Sequence, residues 1–170
     1  MTEIAMLNER RTLRDGIVVG LIGYASVALF YSAFDILASR GMFYTVNLLG
    51  KALFRGLRDP AVLMFPLEID VTAAFLYNLV HLAAALIIGV VVTVLVVVAE
   101  QHPSRRAVVR IILVAGFFVT VALIATLTTP IRPLLPMWSV VAANAIAAII
   151  AGTYLLSRRP GLWSKLALAN

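Results

Sequence analysis

Seven polar side chains interrupt stretches that are otherwise almost pure hydrocarbon: Tyr31 and Asp35, then Tyr77, Asn78 and His81, then Thr126 and, far along the chain, Asn144. A carboxylate, an imidazole and phenols are the groups that hold protons, small ligands or axial positions on a haem. In helical register Tyr31 and Asp35 share a face at i and i+4, as do Tyr77 and His81, and Asn78 lies three before His81. Two chemistries fit this pattern. The groups can hydrogen-bond between helices and fix their packing, at about 0.6 kcal/mol each and seldom above ~1.7. Alternatively, they can line a pocket near His81 and Asp35 for a lipid, a quinone, a haem or a small solute. The packing role is the first expectation and the pocket the second.

The elements that must position these residues are four apolar runs, 16–38, 71–99, 107–129 and 134–157, each longer than twenty residues and holding at most one charged side chain near an end. At about 1.5 Å per residue each can cross a hydrocarbon core of roughly 30 Å, where a helix satisfies its own backbone. The fold class expected is therefore all-α: a polytopic four-helix transmembrane bundle forming one membrane domain over residues 1–170. With 62% hydrophobic and 13% charged residues, no connecting loop is long enough for a separate soluble domain. The first run far exceeds the ~7–15 apolar residues of a signal peptide and is expected to remain as an anchor.

The net charge of +6 in a water-soluble chain would suggest nucleic acid; here the cations flank apolar spans and read as topology signals, so no nucleic-acid partner is expected. Arg10, Arg11, Arg14, Arg105, Arg106, Arg110, Arg158, Arg159 and Lys165 lie on one side, nine in all, against five on the other: Arg40, Lys51, Arg55, Arg58 and Arg132. This places both termini in the cytoplasm of a bacterial inner-membrane protein. The seven polar residues then fall in the outer half.

Between the first two spans, residues 46–58 read as an amphipathic interfacial helix. Thr45 or Asn47 would cap its start and Asp59-Pro60 would stop it. Lys51, Arg55 and Arg58 recur at i, i+4 and i+7 and would face headgroups, while Leu49, Ala52, Leu53 and Gly56 would lie in the interface or on the bundle's outer end. Glu68, Asp70 and Asp59 read as a solvated acidic patch. A second, shorter amphipathic helix is expected within residues 1–15, from Ile4, Met6 and Leu7, and Trp163 and Lys165 suit the inner interface. Gly16 and Gly20 at four-residue spacing, followed by Gly23 and Ser26, leave one face of the first span nearly bare and favour close packing inside the chain over dimerisation. Gly89 with Ala85 gives the second span a small-residue face, and Ala143, Ala147 and Ala151, beside Asn144, Ala148 and Gly152, make the fourth the most closely packable.

Asp35, Phe43-Tyr44-Thr45, Leu48-Leu49-Gly50, Ala52-Leu53-Phe54, Tyr77, His81 and Gly89 resemble a group of uncharacterised short bacterial four-helix membrane proteins, the likeness covering residues 16–99. Where that group usually has Pro after the Thr, this chain has Val46; where it often has Phe after the His, this chain has Leu82. The resemblance implies the architecture and directs attention to Asp35, Thr45, Gly50, Tyr77 and His81. It implies no reaction.

Enzymatic chemistry is not expected. There is no cysteine, no HExxH or GxSxG, and no pair of carboxylates on one helix face, so neither catalytic nor metal-ligating residues are assigned. The expected cofactor is none, with haem or quinone as the alternative; His102 lies in the opposite loop from His81 and could not be a second axial ligand. Three functions follow in order: a noncatalytic scaffold or accessory subunit whose partners are the lipid bilayer and a larger membrane complex; a small-ligand protein using His81; and a homo-oligomeric channel or transporter, with Asn144 as the lining residue.

Overall fold

The computed structural model describes residues 3–159, with side chains from residue 9 onward. The expected roles of Ile4, Met6, Leu7, Trp163 and Lys165 lie outside these described side chains. The described chain is helical without strands: α1 (Glu3–Leu37), α2 (Tyr44–Phe54), α3 (Val71–Gln101), α4 (Arg106–Leu127) and α5 (Met137–Arg158), joined by short 3-10 turns at Pro60–Val62, Pro103–Arg105 and Thr129–Ile131. Four helices are long and apolar enough to cross a membrane: 29 residues in Glu9–Leu37, 31 in Val71–Gln101, 25 in Pro103–Leu127 and 22 in Met137–Arg158. The chain is an integral, multi-pass membrane protein with an all-α bundle. The valine-rich stretch from Val90 to Val98, strand-like by propensity, is helical inside α3, as lipid demands when backbone groups find no water.

One element is merged rather than separate. The surface helix expected within residues 1–15 is continuous in backbone with the first span, α1 starting at Glu3. Nothing at Asp15-Gly16 breaks the hydrogen-bond ladder, and the junction is held from outside. Arg159 reaches Asp15 at 3.6 Å and Glu100 at 2.8 Å, so one guanidinium ties the start of the first span to the C-terminal ends of α3 and α5.

Glycine decides how closely α1 meets α3. A Cβ on Gly16 would fall 2.8 Å from Val90 Cα, and one on Gly20 would fall 2.7 Å from both Ala85 O and Leu86 Cα. On the facing helix, a Cβ on Gly89 would overlap the backbones of Gly16 and Gly20. In lipid, where apolar burial itself drives little association, such backbone proximity supplies the van der Waals contact that holds helices together. These glycines therefore pack within the chain. On α5 Ala143, Ala147 and Ala151 are buried, whereas Gly152 has nothing within 4 Å of an added Cβ, so close approach uses the alanine row alone.

Two apolar clusters bracket the bundle. Val19, Val96, Ala151 and Leu155 form the one nearer the chain termini, joining α1, α3 and α5 with Leu113 of α4 packed against them. At the opposite end Tyr44, Leu48, Leu63 and Ile131 join α2 to the loop behind it and to the turn after α4. The polar residues of α1 and α3 lie between.

Candidate functional site

The C-terminal half of α1 and the N-terminal half of α3 carry their polar residues on facing sides, and α2 closes that end. What places α2 is Asp35. Its carboxylate, 1% exposed as a residue, accepts from the Thr45 backbone N–H at 2.6 Å and from the Thr45 hydroxyl at 2.7 Å. Arg40 adds a contact at 3.4 Å. A helix start has free N–H groups, and an acceptor there is normally supplied by the helix's own first residues. Here the N-cap residue, Phe43, makes no side-chain cap bond, and the acceptor comes from α1. Thr45 is thus a donor to Asp35, which corrects its expected role as the cap.

Arg40 completes the clamp. Its guanidinium lies over the Phe34 ring at 5.0 Å and the Tyr44 ring at 4.6 Å, and it donates to the Leu134 carbonyl at 3.2 Å. Burial raises the Tyr44 phenol above its ordinary pKa, with the nearby Arg40 charge opposing, and its hydroxyl donates to the Leu63 carbonyl at 3.0 Å.

Several features of the α2 region depart from the sequence expectation. The helix spans Tyr44–Phe54 rather than 46–58, and just past its C-cap, Arg55, Gly56 takes with its φ of +66° the left-handed turn that glycine tolerates. Asp59 does not stop it but caps the following turn, accepting from Ala61 N–H at 2.9 Å. The buried face is Tyr44, Thr45, Asn47, Leu48 and Gly50, while Leu53 is 53% exposed and Gly56 lies past the helix. Gly50 sits where a Cβ would fall 2.5 Å from the Ala73 carbonyl oxygen, so α2 rests on the first turn of α3.

Asn47 is no cap either; it ties the returning loop, with Nδ2 donating to the Glu68 carbonyl at 2.9 Å and Oδ1 accepting from Asp70 N–H at 2.9 Å. The three cations do not form one outward row: Lys51 is half-buried, Arg55 pairs with Asp70 at 2.7 Å and Arg58 lies beyond the helix end. Asp70 is accordingly not merely solvated. The hydrogen bond from Arg55, then that from the Ala73 N–H, hold its carboxyl at about 2, and the same pairing raises the Arg55 pKa.

Beneath this cap lies a cavity of about 290 Å³. Tyr24, Tyr31, Ser32 and Asp35 of α1, Phe43, Thr45 and Leu49 from the α2 side, and Tyr77, Asn78 and His81 of α3 are among its walls. Five of the residues singled out from sequence therefore meet at one site: Tyr31, Asp35, Tyr77, Asn78 and His81. Asn144 and Thr126 do not line it; their side chains donate back to their own helices, at Val140 O (2.8 Å) and Ala122 O (2.9 Å).

Most polar groups at the site are engaged. The Tyr24 hydroxyl donates to Asn78 Oδ1 at 3.0 Å, Asn78 Nδ2 donates to Ala74 O at 3.1 Å, and Tyr31 shares a 3.4 Å hydrogen bond with Ser139 of α5. The His81 ring stands between Tyr24 and Tyr77, with centroids 5.2 and 6.0 Å away. Among the described residues the Tyr77 hydroxyl and the His81 imidazole have these ring contacts but no hydrogen bond.

Sequence reasoning missed Tyr24, Arg40 and Ser139. Tyr24 was legible, since it precedes Tyr31 by two helical turns on the same face. Arg40 was read as a topology charge although it follows Asp35 by five residues, and Ser139 carries no local signal. Among the described residues no group of three His, Asp or Glu side chains is arranged to hold a metal ion. Compared with protein-family models, with curated proteins and with solved structures, the chain matches none.

Proposed function

We propose that this integral membrane protein binds a small molecule, or the head of a lipid-like one, in the cavity beneath α2, without catalysing a reaction. The observation that carries this reading is the pair of polar groups, Tyr77 and His81, that face a cavity of about 290 Å³ without a hydrogen-bond partner among the described residues. A polar group in a low-dielectric span without a partner costs free energy, and natural proteins accept that cost where a ligand or ordered water supplies the missing bond. The volume is near the lower end of ligand pockets, roughly 300–1,000 Å³, and mixed aromatic walls with few polar groups are their usual lining. The charge asymmetry of nine against five cations supports a topology with the cavity near the outer face of a bacterial inner membrane and both termini inside.

Protein purified in nanodiscs from its own host membrane and examined by native mass spectrometry is expected to carry a bound small molecule. Val46→Phe, which inserts a ring into the cavity wall, should abolish that adduct while leaving the oligomeric state and helicity of the folded protein unchanged. Absence of any adduct in the parent, or its persistence in the variant, refutes the reading. The scaffold role ranks below it because the exposed apolar face of α4, with Phe118, Val119 and Leu123 each more than half exposed, fits lipid as well as a partner. A channel ranks lower still, since the amide of Asn144 is turned onto its own helix.

A further inference from the structure

The engaged groups at the cavity define what its occupant can be. Asp35 has both oxygens taken by Thr45 and is charge-matched by Arg40. No lysine or arginine is among the lining residues. An anion placed there would sit beside a carboxylate with no cation facing it, and a cation would meet a carboxylate that is buried against Thr45 and already matched in charge by Arg40. Either would lose its hydration without replacement.

An uncharged molecule has no such penalty. What the cavity offers it is flat π surface from Tyr24, Tyr31 and Tyr77 and three polar atoms without a partner among the described residues, the Tyr77 hydroxyl and the two ring nitrogens of His81, one of which carries its proton. The hydroxyl and the protonated nitrogen both donate, so the natural complement is a carbonyl oxygen on a planar ring. Size agrees. A cavity of about 150 Å³ holds one six-membered carbon ring, and this one, at about 290 Å³, is nearly twice that.

Building on the ligand-binding reading above, we infer that the cavity takes the uncharged, carbonyl-bearing ring of a membrane-soluble compound of the quinone class, hydrogen-bonded by Tyr77 and His81 and packed between tyrosine rings. The binding is reversible and noncovalent, and no electron transfer is implied.

The test compares three probes of similar apolar bulk on the full chain in nanodiscs: 2-methyl-1,4-naphthoquinone, a naphthoate anion and a naphthyl-trimethylammonium cation. Affinity is read from the concentration dependence of the thermal midpoint. The naphthoquinone is expected to bind at least tenfold more tightly than either charged probe. Tyr77→Phe and His81→Phe, which keep a ring and remove the polar atom, should each weaken it about five- to tenfold, while Val46→Phe should abolish it. If one of the charged probes binds best and Val46→Phe removes that binding, the class is wrong and the ligand-binding reading survives. If no probe binds and native protein carries no adduct, both fail. Naphthoquinone binding that ignores all three variants is partition into lipid and overturns the inference.

Discussion

Removing the Asp35 carboxylate should unfasten α2, and the size of the effect can be worked from its partners. Asp35→Ala deletes the acceptor for the Thr45 N–H at 2.6 Å and the Thr45 hydroxyl at 2.7 Å, and leaves Arg40, 3.4 Å away, without its counter-charge. Hydrogen bonds to a charged group contribute about 1.5–3 kcal/mol each, and truncating one side of a buried ion pair costs about 3–5 kcal/mol. Arg40 has a long stem in the connection between α1 and α2 and can turn its head toward water, which moderates the loss. A destabilisation of about 3 kcal/mol is therefore expected for Asp35→Ala.

Asp35→Asn keeps an acceptor but no charge and should cost about 1–2 kcal/mol, and Thr45→Val, which removes one hydroxyl, about 1 kcal/mol. Reversible unfolding in mixed dodecyl sulfate and mild detergent gives the order, and amide exchange gives the place: protection from Thr45 to Leu48 should fall while the N-terminal half of α1 and the C-terminal half of α3 keep theirs. A loss below about 1 kcal/mol for Asp35→Ala, or equal losses for Ala and Asn, would refute the capping role.

Three further outcomes are expected. Gly89→Ala should destabilise by about 1–3 kcal/mol, because its Cβ would overlap the α1 backbone at Gly16 and Gly20, while Gly116→Ala, with nothing within 4 Å, should stay within about 0.5 kcal/mol in the same unfolding assay. Asn47→Ala should cost about 1–3 kcal/mol and speed proteolysis between Gly56 and Leu67, since it releases both the Glu68 carbonyl and the Asp70 N–H. The Arg55–Asp70 tie should be indifferent to pH from neutral to about 4. Since folding lowers the Asp70 pKa to about 2, its stabilisation is present above the ordinary carboxylate range and is lost as pH falls through about 2. Acid-induced exchange at the Ala73 amide that vanishes in Asp70→Asn would show it, and equal acid sensitivity in both proteins would exclude it.

The four spans were legible because a bilayer makes the strongest demand a solvent can make: an apolar run of this length has to be helical there, and composition alone identifies such runs. The glycines at Gly16, Gly20 and Gly89 were legible as contact faces for a related reason, since small residues have little use on a lipid-facing helix other than to admit a neighbour. The site was half legible. Costly polar atoms in a span announce themselves, so Tyr31, Asp35, Tyr77, Asn78 and His81 stood out. Which of them meet did not, because helical spacing orders residues within one helix and is silent about rotation against the next.

For this chain, then, sequence by itself determined the solvent, the number of crossings and which interior atoms are expensive, because each follows from local transfer free energies summed along a run. Tertiary structure alone decided that Asp35 serves α2 rather than a ligand, that Tyr24 takes up Asn78, that Asn144 turns away, and that Tyr77 and His81 are left facing a cavity without a partner among the described residues. Those outcomes rest on hydrogen bonds between residues up to 54 positions apart, as in Tyr24 with Asn78. Such bonds are directional and saturable, so the partner that reaches a group first in space removes it from every other role.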